Sequence, residues 1–165
     1  MILDIEKPVY EVLDRMNIPY MRVEHEATAS CEAADEVMGD LTGTPSKSLF
    51  LTNKKKTEFW LILMNGNKPL NIKEFSPLVG EKHLSFAPEE KMVEKLGLTP
   101  GNVSVFGLIN NTEHDVHVVA DTQLRQRDKI TFHPNINTRT IEIPTADMYR
   151  FIQEMGNPFE EITLP

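Results

Sequence analysis

Apolar residues recur at helical spacing near the start of the chain. Val9, Val12, Leu13 and Met16 form one apolar stripe, and the Pro8 just before them is well tolerated in the first turn of a helix. The residues between them are mostly polar, as expected for a helix that packs one face against a core. The pattern therefore predicts an amphipathic first helix.

The middle of the chain shows two apolar runs of strand length separated by a polar turn. Ser48 to Thr52 and Glu58 to Met64 flank the turn Asn53-Lys54-Lys55-Lys56-Thr57, which is typical of a β-hairpin. Further strands are predicted at Tyr20 to Val23, Leu84 to Phe86, Val103 to Ile109, Val116 to Ala120, Lys129 to Phe132 and Thr138 to Ile143.

Caps and breakers predict the remaining helices. These are Cys31 to Met38 with Ser30 as its N-cap, Ile72 to Leu78, a helix between Pro88 and Gly97, and a last helix capped by Thr145 and ended by Gly156. Helices and strands are mixed rather than strictly alternating, and hairpins dominate the second half. We expect one α+β domain over residues 1–165, with a mostly antiparallel sheet, and not a doubly wound nucleotide-binding fold.

Composition and charge narrow the function classes. The chain has 165 residues, of which 40% are hydrophobic and 25% charged, as in ordinary globular domains. The net charge of −8 disfavours a protein that holds nucleic acid by its overall field, although a local basic patch remains compatible with RNA binding. The single cysteine, Cys31, excludes an internal disulfide or a cysteine-rich zinc site.

The N-terminal residues and the lengths of the apolar runs predict where the protein works. Met1 to Glu6 has neither a basic region nor a long apolar run, so we expect no targeting signal. The longest apolar cluster, Trp60 to Met64, is far shorter than the roughly 18 residues of a membrane helix. We therefore expect a cytoplasmic protein without a membrane partner.

Common catalytic and nucleotide-binding motifs are absent, and the chemistry-bearing residues are few. His114 and His117 have a spacing that suits a metal, but no further ligand cluster stands nearby, so surface histidines are the favoured interpretation and no metal or cofactor is predicted. Cys31 would be a stabilised thiolate at a helix start, yet a lone cysteine is more often a packed side chain.

Three loops carry functional residue types in turn contexts. Lys47 comes just before an apolar strand, the segment Thr99 to Gly107 contains two glycines, and His133-Pro134 opens a polar loop. A glycine loop can offer backbone N–H groups to an oxyanion or carbonyl. Each loop has an ordinary structural interpretation as well, as a solvated lysine, a turn and a bend. A shared site built from all three is the functional hypothesis.

Several runs in these loops resemble one known family. They are Lys47-Ser48-Leu49-Phe50-Leu51, Leu84-Ser85-Phe86-Ala87, Leu96-Gly97-Leu98-Thr99-Pro100-Gly101, Phe106-Gly107-Leu108-Ile109-Asn110 and Phe132-His133-Pro134-Asn135. In this order they resemble the YbaK/ProX family, the stand-alone relatives of the editing domain inserted in bacterial prolyl-tRNA synthetases. The resemblance covers Tyr10 to Met155 and is strongest to the ProX branch.

The resemblance implies a fold and an activity. Family members are single α+β domains with a mixed, partly barrel-like sheet flanked by helices. They hydrolyse, without a metal, the ester between a wrong amino acid and the tRNA 3′ end. The ProX branch acts on mischarged Ala-tRNA(Pro), so the implied substrate is a mischarged tRNA. A prolyl-tRNA synthetase or an elongation factor that hands over the tRNA is the implied partner.

The resemblance also assigns site residues. The essential lysine falls on Lys47 and the pocket histidine on His133. The Gly-x-x-x-Pro substrate loop falls on Gly101-Asn102-Val103-Ser104-Val105, where Val105 replaces the proline, and Gly107 follows it. Because proline fixes φ and valine does not, this departure bears on the loop shape. Small residues near Thr28, Ala29 and Ser30 are the implied lining of the amino-acid pocket.

The sequence leaves open the role of three lysines and the choice between three functions. Lys54, Lys55 and Lys56 are the one concentrated basic patch and a candidate tRNA contact, but a solvated turn is the favoured interpretation. The Val105 replacement favours an alternative function, a non-catalytic module that binds tRNA or a synthetase through the same scaffold. Hydrolysis of a small-molecule ester is a third hypothesis.

Overall fold

Eight strands form one mixed sheet within the described part of the chain, flanked by helices on both faces. The computed structural model describes residues 2–26, 41 and 43–165. The helices are α1 (Lys7–Arg15), α2 (Ile72–Phe75), α3 (Glu89–Leu96) and α4 (Thr145–Met155). The strands are β1 (Met21–Glu24), β2 (Thr44–Asn53), β3 (Phe59–Asn65), β4 (Leu84–Phe86), β5 (Val116–Asp121), β6 (Lys129–Phe132), β7 (Arg139–Pro144) and β8 (Phe159–Ile162).

The strand order is β1-β7-β6-β2-β3-β5-β8, with β4 added beside β2. The pairs β1–β7, β7–β6, β2–β3 and β2–β4 are antiparallel, whereas β2–β6, β3–β5 and β5–β8 are parallel. The expected α+β fold with a mixed sheet and flanking helices is confirmed. Because β1 and β8 lie at opposite ends of the order, the sheet is open rather than closed.

Two apolar layers cover the two faces of the β3 region. Phe59, Leu61 and Leu63 of β3 contribute to one core, while the alternate residues Trp60, Ile62 and Met64 contribute to the other. Successive side chains of a strand point to opposite faces, so a strand buried on both sides reads as a continuous apolar run. The larger core also receives α1, α3 and α4, and the smaller core receives α2 and the C-terminal Leu164.

A buried ion pair fixes the C-terminal segment on the smaller core. Lys68 Nζ donates to Asp121 Oδ2 and to the backbone carbonyl of Leu164, both at 2.9 Å. The Leu164 side chain is 4% exposed. Lys68 therefore joins the loop after β3, the end of β5 and the C-terminal segment at one point.

The structure corrects one strand prediction. Val103 to Ile109 was expected to be a strand, but Val105–Asn110 is a 3₁₀ helix. The Ser104 hydroxyl accepts from the Phe106 N–H at 3.2 Å and so caps it. Gly107 lets the turn approach the end of α3 closely, because a Cβ there would lie 3.1 Å from Leu96 Cβ and 2.8 Å from Leu98 Cδ1, just beyond the helix. The run is apolar because Val105 to Leu108 are all buried.

Other predictions differ in detail. The predicted helix Ile72 to Leu78 is α2 followed by a 3₁₀ turn over Ser76–Val79. The connection after β5 contains another 3₁₀ turn, Thr122–Gln126. Thr145 is the first residue of α4 and makes no capping hydrogen bond, so its predicted role as a cap is wrong. Strand β8 was not predicted.

The predicted helix Cys31 to Met38 with its N-cap Ser30 lies outside the described residues. In the part of the chain that is described, every helix is too short and too polar to cross a membrane.

A fully buried carboxylate joins α1 to the edge of the sheet. Glu6 accepts hydrogen bonds from the Leu3 N–H at 2.8 Å, the Tyr10 hydroxyl at 2.7 Å and Arg22 Nη2 at 3.1 Å. Arg139 Nε lies 3.6 Å from the second Glu6 oxygen. Burial alone would raise the pKa of Glu6, but the hydrogen bonds from Leu3, Tyr10 and Arg22 together hold it below its ordinary value.

We predict that Glu6→Gln lowers the free energy of unfolding by about 3 kcal/mol, because it breaks a buried ion pair and leaves Arg22 under-compensated. Urea denaturation measures the change. The control is Glu11→Gln, an exposed position on the same helix, which should change stability by less than about 0.5 kcal/mol. Equal stability of the two variants would contradict the role of Glu6.

The same carboxylate predicts a pH dependence in that experiment. Since the folded state holds the pKa of Glu6 low, the unfolded chain binds its proton first as the pH falls. The stabilisation by Glu6 is therefore complete above the ordinary glutamate pKa and is lost as pH falls through the lower folded value. The loss of stability on acidification should be shallower in Glu6→Gln than in the wild type.

Candidate active site

One half of the sheet carries polar side chains on the face opposite the larger core. In β6 and β7, Ile130, Phe132, Ile141 and Ile143 point into that core. The alternate residues therefore point to the other face. These are Thr131, Thr140 and Glu142, which are 3%, 3% and 4% exposed. We call these three residues and Lys47 the polar face.

Lys47 reaches this face through the register of β2. Pro45 pairs with Thr131 in the parallel β2–β6 ladder, so Lys47, two residues on, shares the face of Thr131. Across the antiparallel ladder Lys47 pairs with Met64, which is buried in the smaller core. Lys47 thus lies at the boundary between the apolar and polar halves of this face.

Lys47 is half-buried, and its ammonium group has no hydrogen-bond or ion-pair partner among the described residues. Most other partly buried basic side chains are paired. Lys68 binds Asp121 and Lys95 binds Asp115 at 2.6 Å. A half-buried lysine without a counter-ion among the described residues attracts an anionic group, so Lys47 is suited to hold a phosphate or a developing oxyanion.

The segment just before Lys47 is bonded to residues of β6 and β7. Ser46 Oγ donates to the backbone carbonyl of Thr131. The Gly43 N–H donates to Glu142 Oε2 at 2.7 Å. Lys129 Nζ lies 3.7 Å from the other Glu142 oxygen. The segment preceding Lys47 is therefore fixed to the same strands that lead to His133.

His133 follows β6 directly and is held in one orientation. Its Nδ1 lies 2.9 Å from the backbone carbonyl of Arg139, across the loop between β6 and β7. Burial lowers the pKa of His133, and a positive charge on the nearby His25 would lower it further, whereas the bond to Arg139 opposes the shift. His133 is therefore a neutral imidazole near pH 7, able to accept a hydrogen bond at Nε2.

The glycine loop contacts the His133 loop directly. The Asn137 N–H donates to Asn102 Oδ1 at 2.9 Å, and Asn102 Nδ2 donates to Thr99 Oγ1 at 2.9 Å. Gly101 has φ +86°, a left-handed conformation that favours glycine. The second and third predicted loops thus form one surface, and the register of β2 brings Lys47 to the strands that support it.

The residues of the glycine loop divide into two groups. Gly101 is exposed and Asn102 and Val103 are half-buried, so they are available to a ligand. Ser104 and Val105 are 1% and 0% exposed, and Gly107 is also buried. Val105 occupies the first position of the 3₁₀ helix without the proline of the family pattern. The buried residues support the loop from the core side.

The remaining predicted residues lie elsewhere. Thr28, Ala29, Ser30 and Cys31 are outside the described residues. Lys54, Lys55 and Lys56 are exposed in the β2–β3 turn, where Lys56 has φ 57°. Lys54 is seven residues beyond Lys47, or roughly 20 Å along an extended strand. Lys47 and the three lysines of the turn therefore cannot contact the same atoms of a ligand.

The two histidines whose spacing would suit a metal, His114 and His117, have separate surroundings. His117 Nε2 lies 2.9 Å from Glu58 and its ring stacks on Trp60, while His114 is in a turn with φ 53°. Within the described ranges, no group of three or more His, Cys, Asp or Glu side chains could hold a metal ion.

A groove of about 500 Å³ lies along α4, away from the polar face. Its two arginines are already paired, Arg125 with Glu161 at 2.7 Å and Arg150 with Asp147 at 2.6 Å. The Arg125 guanidinium also lies 3.6 Å from the centre of the Tyr149 ring. This groove has none of the site residues expected from the sequence.

Sequence reasoning missed three residues at the site, namely His25, Thr140 and Glu142. His25 Nε2 lies 2.7 Å from Thr140 Oγ1, and the His25 and His133 rings are 6.2 Å apart. The alternation Thr138 to Ile143 already put Thr140 and Glu142 on one face of a strand. It did not reveal that the strand pairs with β1, which places His25 beside them.

Comparisons with known proteins identify relatives of this chain. The sequence profile described as "Aminoacyl-tRNA editing domain" matches residues 25–151. The prolyl-tRNA editing protein ProX of Acetoanaerobium sticklandii is 30% identical over 164 residues, covering 99% of this chain and 100% of that protein. The prolyl-tRNA synthetase associated domain-containing protein 1 of Danio rerio is 33% identical, covering 92% of this chain and 83% of that protein.

A solved structure shows the same fold. A candidate trans-editing enzyme for prolyl tRNA synthetase superposes with a TM-score of 0.74 at 19% identity and covers 98% of each chain. The profile match begins at His25, includes His133 and ends in the middle of α4. The chain belongs to the aminoacyl-tRNA editing domain family.

Proposed function

We propose that the chain, residues 1–165, is one trans-acting editing domain that hydrolyses mischarged aminoacyl-tRNA, with Ala-tRNA(Pro) as its substrate. The observation that carries the proposal is the half-buried Lys47, without a partner among the described residues, on strands that also support His133. Family membership and the similarity to ProX support the reaction class. We place the protein in the cytoplasm, where charged tRNA is used.

The reaction needs positioning and charge stabilisation more than a strong nucleophile, because an aminoacyl ester is already activated. Water attacks the ester carbonyl carbon, the bond to the ribose oxygen breaks, and the proton of the water passes to that oxygen. We assign Lys47 to the terminal phosphate or the developing oxyanion. His133 Nε2 accepts a hydrogen bond from the attacking water or the bound substrate.

The glycine loop completes the proposed site. Backbone N–H groups at Gly101, Asn102 and Val103 hold the substrate carbonyl, and Ser104, Val105 and Gly107 maintain the loop from behind. Lys47 supplies the positive charge, so the proposed reaction requires no metal or cofactor. Thr28 and Ser30 remain our predicted lining of the amino-acid pocket.

We propose that amino-acid specificity is steric. One methylene in an apolar pocket is worth only about 1–3 kcal/mol, so exclusion of the larger correct amino acid requires a clash. His133 lies in the loop that contacts the glycine loop, and we expect this side of the site to limit the size of the amino-acid pocket. We expect an alanyl ester to enter this pocket and the larger prolyl ring to be excluded.

Deacylation of labelled tRNA tests the proposal. Purified protein is incubated with Ala-tRNA(Pro), Pro-tRNA(Pro) and Ala-tRNA(Ala), and the remaining ester is measured over time. Rapid loss of Ala-tRNA(Pro) alone is expected. Buffer-like decay of all three would refute the substrate, and Cys-, Ser- and 2-aminobutyryl-tRNA would then identify another editing specificity. Equal hydrolysis of Pro- and Ala-tRNA(Pro) would refute the steric account.

A non-catalytic module that binds tRNA or a synthetase is the second candidate, favoured by Val105 in place of the family proline. The turn at Val105 is nevertheless capped by Ser104 and buried, so the loop is ordered without proline. Binding of tRNA without ester hydrolysis by the wild-type protein would support this candidate.

We predict that Lys47→Ala lowers kcat for Ala-tRNA(Pro) by at least about 100-fold, as expected when a charge-stabilising group is removed. The fold should remain, because Lys47 makes no polar contact with a described residue. Lys73→Ala is the control, since Lys73 is exposed on α2 in another part of the protein. Near wild-type turnover by Lys47→Ala would refute the assignment of Lys47.

We predict that Gly101→Ala and Gly80→Ala cost similar stability but differ in activity. Both glycines have left-handed φ, +86° and +79°, so each alanine costs about 1–2 kcal/mol. Gly80 lies in the turn after α2, outside the proposed site. Gly101→Ala should lower kcat/KM about tenfold or more, because small displacements of a positioning loop are costly. Equal activities of the two variants would place the substrate away from the loop.

We predict that the hairpin lysines Lys54, Lys55 and Lys56 contribute weakly to tRNA binding and that this binding depends only weakly on salt concentration. If the protein makes two to four phosphate contacts in all, each contributes about 0.7 to the slope of the log binding constant for tRNA against log salt concentration. This slope should then be about −1.5 to −3. Replacing them by Ser, Ser and Asn should flatten this slope and raise KM while kcat stays constant. Asparagine suits Lys56 because its φ is 57°.

The control for the hairpin variant removes the same charge elsewhere. A triple variant with serine at Lys7, Lys73 and Lys82, all exposed, has the same net charge. An equal rise of KM in both triple variants would mean that only net charge matters. A slope steeper than about −5 would reveal a large cationic surface not included in the proposal. Weak binding also suggests delivery of the tRNA by prolyl-tRNA synthetase or an elongation factor.

A further inference from the structure

His25 is fixed beside the site by residues that are distant in sequence. It follows β1, which pairs with β7 through Glu24 and Arg139. The His25 N–H donates to the Thr138 carbonyl at 2.9 Å and extends this ladder by one bond. The position of the His25 ring is therefore set by the backbone of β7 as well as by its own strand.

Both ring nitrogens of His25 have hydrogen-bond partners. Nδ1 lies 2.7 Å from the Glu26 backbone carbonyl, and Nε2 lies 2.7 Å from Thr140 Oγ1. A carbonyl oxygen can only accept, so Nδ1 carries the proton. In the neutral ring, Nε2 then accepts from the Thr140 hydroxyl. A threonine hydroxyl that donates here fixes both the tautomer and the rotation of the imidazole.

The tautomer of His133 is fixed in the same way. Its Nδ1 lies 2.9 Å from the Arg139 backbone carbonyl and must donate, so the lone pair of the neutral ring is on Nε2. Nε2 has no hydrogen-bond partner among the described residues. It is the ring position available to a water molecule or a substrate group.

The two rings face each other at 6.2 Å between their centres with planes inclined by 53°. Because the His25 ring is held at both nitrogens, it limits the rotation of the adjacent His133 ring. Rotation of His133 by half a turn would point a carbon at the Arg139 carbonyl and move the lone pair away from its present direction. The adjacent His25 ring, fixed at both nitrogens, opposes this change.

We propose that His25, fixed by Thr140, is a positioning residue that keeps His133 in the tautomer with its proton on Nδ1 and its lone pair on Nε2 directed at the substrate. The proposal rests on the deacylase activity proposed above. His25 acts through His133 and need not touch the reacting atoms. A positioned acid–base group contributes about 10²–10⁴-fold to a rate, and loss of its orientation forfeits part of that factor.

Two measurements on the full-length protein test the proposal. Long-range ¹H–¹⁵N spectra report which ring nitrogen of His133 is protonated, with His133→Gln used to assign its signals. Kinetics with Ala-tRNA(Pro) give kcat and KM separately. In His25→Ala and Thr140→Val, the His133 signals should move towards an average of two tautomers, and kcat should fall about tenfold with KM within about twofold. Thr140→Ser, which keeps the hydroxyl, should resemble the wild type.

The control for general destabilisation is Thr52→Val. Thr52 is 1% exposed and donates to the Glu58 carbonyl at 2.9 Å in the hairpin, so its replacement also removes a buried hydroxyl bond. It should leave kcat and the His133 spectrum unchanged. If His25→Ala fails to fold, the nearly isosteric Thr140→Val decides the question.

The possible outcomes separate the two proposals. An unchanged His133 tautomer in His25→Ala and Thr140→Val overturns the role of His25, even if kcat falls. Equal losses in Thr140→Ser and Thr140→Val overturn the role of the hydroxyl. If the wild type hydrolyses no charged tRNA, the proposed function fails, while the spectra still show whether His25 controls the His133 tautomer.

Discussion

The short parallel pairing of β2 with β6 is the contact on which the geometry of the site depends. It consists of two residue pairs, Thr44 with Ile130 and Pro45 with Thr131. On one side of this junction the strands β3 and β5 are buried on both faces, and on the other side β6 and β7 are apolar on one face only. Lys47 lies two residues beyond the junction, where apolar and polar halves meet.

A register shift at this junction would move the lysine to the other face, since side chains alternate along a strand. Three interactions oppose such a shift. Ser46 bonds to the Thr131 carbonyl, Gly43 bonds to Glu142, and the long β2–β3 ladder continues to Thr52 and Phe59. The site is therefore supported by elements whose own side chains take no part in the proposed chemistry.

Much of the fold was predictable because its elements carry local signals. The hairpin of β2 and β3 and the last helix follow from apolar periodicity and from Gly156. The 3₁₀ helix at Val105 was mistaken for a strand, because its buried residues Val105 to Leu108 have the same apolar composition as a central strand. Strand β8 is mostly polar and exposed, and its partner β5 is far away in sequence, so no local pattern indicates it.

The candidate site was predictable only in part, for the same reason. Lys47 and His133 were identified by resemblance to a family, and the structure brings their supporting strands together. His25 and Thr140 carry no motif. Their proximity depends on the pairing of β1 with β7, which no local pattern records. Glu142 was missed because its role is to hold the backbone at Gly43.

The pairing of β1 with β7 has a consequence for how the protein acquires activity during folding. It joins residues 115 positions apart at His25 and Thr140, and Glu6 adds a second connection between α1 and the same strands. Contacts of such long sequence separation form late, after the entropy of closing a large loop has been overcome. A chain in which the β2–β3 hairpin is folded but β1 is undocked would have the lysine without the histidine pair. Editing activity should therefore appear only with the last cooperative step of folding, and partly folded molecules should not discharge tRNA indiscriminately.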